Sequence, residues 1–224
     1  MDRALQACNR APDKVTLLAV SKTVVPEDII SALTAGLTNF GESYGQEFRD
    51  KHVAVEQHLQ RTPGLSAPRW HFIGPLQSNK VKYVVGKVAL VHSVGSADVL
   101  TAIQAKAVAL DLVQDCLIQV NVAGEAQKSG LPPAALPGIL DRFASLTHVR
   151  CKGLMVIPPY DENPECSRRH FVALRRLQES EFKQARQNVT LGELSMGMSH
   201  DLEVAIAEGS TIVRVGTALF GERT

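Results

Sequence analysis

Short apolar or β-branched runs alternate with longer amphipathic stretches along the whole 224-residue chain, with no linker or low-complexity break between them. The runs predict eight strands: VTLLAVS at 15–21, TNFG at 38–41, WHFIG at 70–74, ALVHSV at 89–94, CLIQVNV at 116–122, CKGLMVI at 151–157, GELSMG at 192–197 and TIVRVG at 211–216. Between them lie stretches of helical spacing, among them PEDIISALTAG after Thr23, Tyr44 to Arg61, Ala97 to Leu112 and Pro164 to Gln187. Gly36, Gly86 and Gly209 stand where three of these helices end, the place for the residue that best tolerates a left-handed backbone. Eight βα units in so short a chain fit a minimal (β/α)8 TIM barrel, one domain over 1–224, better than an open doubly wound sheet. In such barrels chemistry gathers where strands end and βα loops begin.

Composition narrows the function classes. Lys and Arg number 24 against 23 Asp and Glu, a formal net charge of +1, so no global field draws in nucleic acid or an anionic membrane. Hydrophobic residues at 45% and charged residues at 21% give the balance of a folded globular protein. The longest apolar stretches, such as GLMVI at 153–157, are only about five residues, against the roughly 20 that cross a bilayer. MDRALQACNRAPDK at the start lacks the basic opening and apolar run of a secretory signal. Cys8, Cys116, Cys151 and Cys166 show no zinc spacing and read as free thiols of a reducing compartment. A soluble cytoplasmic protein without a metal is therefore expected.

At the end of the first strand, period 2 places Leu18, Val20 and Lys22 on one face. If that face is the barrel interior, the ammonium is partly desolvated, its pKa falls, and more neutral amine is available to attack a carbonyl. Read on its own, Lys22 is either such a Schiff-base lysine or one that snorkels to water. In the last strand Ile212, Arg214 and Gly216 share a face, and an inward arginine near a barrel mouth needs an acceptor or anion. Gly216 and Thr217 then offer two N–H groups and a hydroxyl at the start of the final helix. The preceding unit, SMGMSHDLEVAIAEG, uses Gly197 for a close approach and opens a helix with Ser199 as N-cap. Each motif alone is as well explained by a tight turn and a cap; together they occupy the two loops that form this fold's usual phosphate site.

Other strand ends are polar. Asn39 precedes FGES and either bonds a ligand oxygen or caps the turn at Gly41. His71, between Trp70 and Phe72, reads as a satisfied core histidine, and Asn121 precedes VAGEAQKSG. Lys80 and Lys128 read as solvated loop charges, although Lys128 is placed to reach an anion entering the mouth. The pairs Arg168–Arg169 and Arg175–Arg176 share a helix with Glu165, Glu179 and Glu181, a solvated face and not a nucleic-acid stripe.

A carbonyl-reactive lysine, an inward arginine and a two-loop phosphate cup describe a site for pyridoxal 5′-phosphate. The segments AVSKT, NFGES, WHFIGPLQSNK, EAQKSG, GLM, LSMGMSHDLEVAIAEGS and VRVGTALFGER, spread over nearly the entire chain, resemble the pyridoxal phosphate homeostasis protein family, whose single domain looks like the N-terminal barrel of alanine racemase. The resemblance implies that Lys22 carries the cofactor as a Schiff base, that Ser199, Gly216 and Thr217 bind its phosphate, that Arg214 faces the pyridine nitrogen, and that Asn39 flanks the ring. The family commonly has a histidine where Pro75 stands, and an asparagine and a bulkier residue where Ser43 and Gly45 stand, so the rim of the pocket departs from its pattern. The segment before LLAVSK is short for the family, which implies a reduced first helix.

An arginine stays cationic, so Arg214 against the pyridine nitrogen disfavours protonating it and leaves the ring a weaker electron sink. That argues against transamination and decarboxylation. Racemisation needs an acid/base group on each face of the substrate carbon; Lys22 serves one face, and none of Tyr44, Tyr83 and Tyr160 is assigned to the other. The expectation is a monomeric carrier that buffers pyridoxal phosphate or delivers it to acceptor apoenzymes, with an amino-acid racemase as the alternative and an aldolase-type sugar-phosphate enzyme as a third reading.

Overall fold

The computed structural model describes residues 1–125 and 129–221. Eight parallel strands, β1 (Thr16–Val20), β2 (Asn39–Glu42), β3 (Arg69–Phe72), β4 (Leu90–Val94), β5 (Gln114–Gln119), β6 (Val149–Met155), β7 (Val189–Met198) and β8 (Ile212–Val215), pair in chain order and close into a barrel. The seam is the pairing of β8 with β1, where Leu18 lies beside Arg214 and Ala19 beside Val215. Around the barrel run α1 (Asp2–Ala7), α2 (Pro26–Thr34), α3 (Gly45–Arg61), α4 (Val81–Val84), α5 (Ala97–Ala109), α6 (Leu136–Ser145), α7 (Arg168–Phe182), α8 (Leu202–Ala207) and α9 (Thr217–Phe220).

Strand alternation sorts the side chains into two cores. Leu18, Val20, Ile73, Leu90, Leu117, Met155 and Ile212 form an apolar cluster inside the barrel. Their neighbours Ala19, Phe72, Val91, Cys116, Ile118 and Leu154 face the helices and join the larger cluster between the two shells. Burial of this second set against amphipathic helices is what a parallel sheet requires on its outer face. All eight predicted strands are present. The expected helix from Pro164 to Gln187 divides into a 3-10 turn, Pro164–Ser167, and α7, which ends at Phe182. α6 is not among the expected helices: prolines at 132, 133 and 137 obscure a stretch whose Leu136, Ile139, Leu140 and Phe143 are buried at helical spacing. Gly36, Gly86 and Gly209 do adopt positive φ, at 97°, 83° and 97°. No helix among the described residues is long and apolar enough to cross a membrane.

Candidate functional site

Lys22 lies two residues beyond β1, and the alternation that turns Leu18 and Val20 inward continues to it at the C-terminal mouth, where it is half-buried. Both of its neighbours are pinned from outside the barrel. Ser21 is buried; its N–H donates to Gly41 O at 3.0 Å and its hydroxyl to Glu42 Oε1 at 2.7 Å. Thr23 holds a φ of 63°, a left-handed value that a β-branched residue adopts only under compulsion, and its N–H donates to Glu47 Oε1 at 2.5 Å. Lys51, one turn along α3 from Glu47, ties the group together: its Nζ donates to Ser21 O at 2.6 Å and Glu42 Oε1 at 3.1 Å and pairs with Glu47. Burial pushes the Glu42 carboxyl up, opposed by the Lys51 charge and the Ser21 hydroxyl. Sequence reasoning missed Glu42, Glu47 and Lys51. The only signal is the acid–base pair at i,i+4 in α3, which resembles any solvated helix pair.

Across the seam, Arg214 is buried within the barrel, donating from Nη1 to Ser195 Oγ at 2.8 Å and from Nη2 to Val156 O at 2.9 Å. Ser195 Oγ lies 2.9 Å from His92 Nδ1, and His92 Nε2 lies 2.9 Å from His71 Nδ1. The arginine can only donate, so the serine accepts from it and passes its own proton to His92 Nδ1, and His92 Nε2–H donates to His71 Nδ1. The row ends on His71 Nε2, buried and without a partner among the described residues. Burial, with the Arg69 charge, pushes His71 down to about 4; burial, with His71 and Arg214, pushes His92 well below the ordinary imidazole range. Both rings are neutral at physiological pH. Burial also pushes Arg214 down to about 10, with Asp201 opposing, so the guanidinium remains charged. It has no ion-pair partner among the described residues. A buried cation whose two hydrogen-bond acceptors, Ser195 Oγ and Val156 O, are neutral, at the mouth beside the Lys22 strand, is suited to a ligand that supplies an acceptor.

The loops after β7 and β8 meet as expected, with one correction. Ser199 is not the cap of the following helix: α8 begins at Leu202 with Asp201 before it, and Asp201 Oδ1 accepts the Met198 N–H at 2.7 Å. The Ser199 hydroxyl instead accepts the Gly216 N–H at 3.3 Å, joining the two loops. Gly197, at φ 90°, lets α8 close onto β7; a Cβ there would lie 2.4 Å from Ala205 Cβ. Thr217 opens the four-residue α9 with its side chain exposed. Ser199 and Gly216 are thus brought together with Thr217 next in the chain, after Arg214 and Val215; their hydroxyls and N–H groups are of the donor type that could take a phosphate ester, the Gly216 N–H being engaged by Ser199 in this structure.

Asn39 is not brought to this site. It opens β2, opposite Arg69 at the start of β3, and its amide donates to Thr38 Oγ1 at 3.1 Å, at the strand end away from the mouth. Asn121 folds its own turn, donating to Glu125 O at 2.8 Å and accepting the Gly124 N–H at 3.1 Å. Lys80 sits over the Tyr83 ring at 5.8 Å, and Lys128 lies outside the described residues. Tyr44 is 54% exposed and Tyr160 79% exposed, the latter against the His200 ring. Arg168 and Arg175 pair with Glu165, Glu179 and Glu208 on the helix surface.

Residues 2–224 match the family model described as "Alanine racemase, N-terminal domain". A pyridoxal phosphate homeostasis protein of Aquifex aeolicus is 47% identical over 227 residues, covering 100% of this chain and 95% of the relative. Its counterpart in Vibrio cholerae is 42% identical, covering 100% and 92%. Among solved structures, PipY of Synechococcus elongatus PCC7942 with pyridoxal phosphate bound superimposes with a TM-score of 0.82 at 33% identity, covering 98% of this chain and 99% of that one. Alanine racemase of Clostridium difficile 630 gives 0.72 at 11% identity, covering 99% of this chain and 55% of the racemase, a likeness of fold alone.

Proposed function

Because the chain belongs to the pyridoxal phosphate homeostasis protein family, built on the alanine racemase N-terminal domain, we propose that it binds pyridoxal 5′-phosphate through Lys22 as a Schiff base and buffers or delivers it inside the cell without catalysis of its own. The observation that carries this reading is Arg214, a buried cation whose two hydrogen-bond acceptors are neutral, held next to the strand of Lys22. When bound, the cofactor supplies an aldehyde that condenses with an amine and a ring that withdraws electrons. Lys22 Nζ provides the amine. Ser199, Gly216 and Thr217 receive the phosphate, and Arg214 presents an N–H to the pyridine nitrogen while its charge disfavours a proton there. A ring without that proton is a weak sink for carbanion chemistry. Among the described residues no tyrosine is fully buried: Tyr44 and Tyr160 are largely exposed, and Tyr83 is half-buried beside Gly45. A site with one base, open to solvent, exchanges its imine with amines and water, as a reservoir must.

Reconstituted protein is expected to be yellow, and borohydride followed by peptide mass spectrometry is expected to fix the cofactor on Lys22. Lys22→Ala should lose the imine absorbance and retain weaker, phosphate-dependent binding; an unchanged spectrum would move the anchor to Lys80 or Lys128. Incubation with single amino-acid enantiomers in D2O separates carrier from racemase, since rapid α-proton exchange belongs only to the enzyme. Faster cofactor transfer from loaded protein to an apoenzyme than from free cofactor would identify delivery, and equal rates storage.

A further inference from the structure

We propose a second ligand site at the mouth, on the side opposite the phosphate cup, that takes the carboxylate of a small aliphatic acid. A cavity of about 220 Å³ opens between the ends of β3, β4 and β5. A water's share of liquid volume is about 30 Å³, so the space suits a molecule of roughly six or seven non-hydrogen atoms. Two independent features give it a polar end. The first is the start of α5, a helix of 13 residues that opens on the cavity through Gly95 and Ser96. Ser96 caps it, accepting the Val99 N–H at 3.2 Å, while the first-turn N–H groups of Ala97 and Asp98 have no acceptor within the helix. The second is Ser93, on the cavity wall, 3% exposed, with a hydroxyl that has no hydrogen-bond partner. Buried hydroxyls are almost always satisfied, and one left open beside a helix N-terminus is a donor awaiting an acceptor.

The ligand class follows from what else lines the space. Among the described residues no charged side chain does so, and no arginine or lysine of the kind that usually accompanies a phosphate dianion is among them. Hydroxyls and N–H groups suffice for a single negative charge. Pro75, Leu76 and Val99 supply an apolar wall for a short alkyl group. Gly95 keeps the floor bare: a Cβ there would meet Gly130 N at 3.5 Å, ordinary contact, so a side chain fits sterically at the expense of the cavity.

The test is a titration of 15N-labelled, cofactor-saturated protein with sodium propionate at constant ionic strength. Inorganic phosphate and 1-propanol serve as controls, and cofactor absorbance is followed in the same samples. Propionate is expected to shift the amide resonances of residues 95–98 with a dissociation constant of about 1–10 mM, leaving the absorbance unchanged. Gly95→Asp, which puts a carboxylate in the cavity, and Ser93→Ala, which removes the open donor, are each expected to weaken this by about tenfold. No shift with propionate, equal shifts with 1-propanol, tighter binding of phosphate, or undiminished binding in both variants would each overturn the proposal. The site stands apart from the cofactor reading, because the same shifts are expected without cofactor, whereas failure of the cofactor reading appears only in the absorbance.

Discussion

Lys22 was legible because strand alternation is a local rule: once Leu18 and Val20 face inward, the next position in register does too. Lys51 was not, because a lysine in the polar sequence of α3 reads as solvated until β2 delivers Glu42 against it. Its side chain is 7% exposed and that of Glu42 0%, so each charge depends on the other. Lys51→Met is therefore expected to cost about 3–5 kcal/mol, since it strands a buried carboxylate. The pH dependence has a defined sign. The Glu42 carboxyl is already raised above its ordinary value in the folded protein, and removing Lys51 raises it further. Between the unfolded and folded values the native state then holds the extra proton, so stability is greatest at low pH and falls as pH rises through that window. Urea unfolding of the variant should show stability recovered as pH is lowered towards the carboxylate reference value of about 4.3; a flat profile would show that Glu42 does not titrate above that value.

Strand existence followed from the alternating pattern, while strand ends did not, because ladder pairing and bulges decide where a strand stops. The register shifts between Val91 and Val94 and between Ser195 and Met198 fall near the mouth, where a bulge redirects side chains. The row from His71 through His92 and Ser195 to Arg214 was invisible for a related reason: its members come from β3, β4, β7 and β8, and only barrel closure makes them neighbours. His71 is a core histidine as expected but not a satisfied one: Nδ1 pairs with another histidine, His92, and Nε2 has no partner among the described residues. Both rings are neutral in the folded state and protonate once exposed. The unfolded chain therefore takes up protons first, and stability is lost as pH falls from 6.5 towards about 4. The His71 shift alone corresponds to about 3 kcal/mol. Replacing both rings, as in His71→Phe with His92→Leu, should flatten this acid limb while Ser195 keeps its bond from Arg214. An acid limb of undiminished slope in chemical denaturation would assign the loss to carboxylates. On β7, Gly197→Ala combines a positive φ with a 2.4 Å approach to Ala205, so it should push α8 from the barrel and weaken phosphate-dependent cofactor binding at least about tenfold, a loss of about 1.4 kcal/mol. Equilibrium dialysis with pyridoxal phosphate and with pyridoxal checks this, the second ligand being nearly indifferent.

At the scale of the whole molecule, barrel closure sets β8 beside β1, the strand that leads to Lys22, and α1 backs the corner of the proposed cup. α1 packs Ala4 and Leu5 against Val15, Ile206, Val213 and Val215, on the outer side of α8 and β8. Arg10 fastens the same corner, its Nη1 donating to Ile206 O at 2.9 Å and Ser210 O at 2.8 Å. The short N-terminal helix is thus the buttress of the two elements whose loops hold Ser199, Gly216 and Thr217. Leu5 is 1% exposed, so Leu5→Ala should leave a cavity and cost about 2–4 kcal/mol. It lies outside the barrel wall, remote from Lys22 and the cavity at α5, which makes its effects separable. The variant should bind pyridoxal phosphate more weakly with an unchanged imine spectrum, because the cup loosens while the anchor does not. Saturating cofactor, at about 100 times its dissociation constant, should restore about 2.7 kcal/mol. Thermal unfolding with and without cofactor measures both quantities. A variant that loses stability yet binds the cofactor as tightly as the parent would show that the cup is held by β7 and β8 alone, with α1 contributing only to the fold.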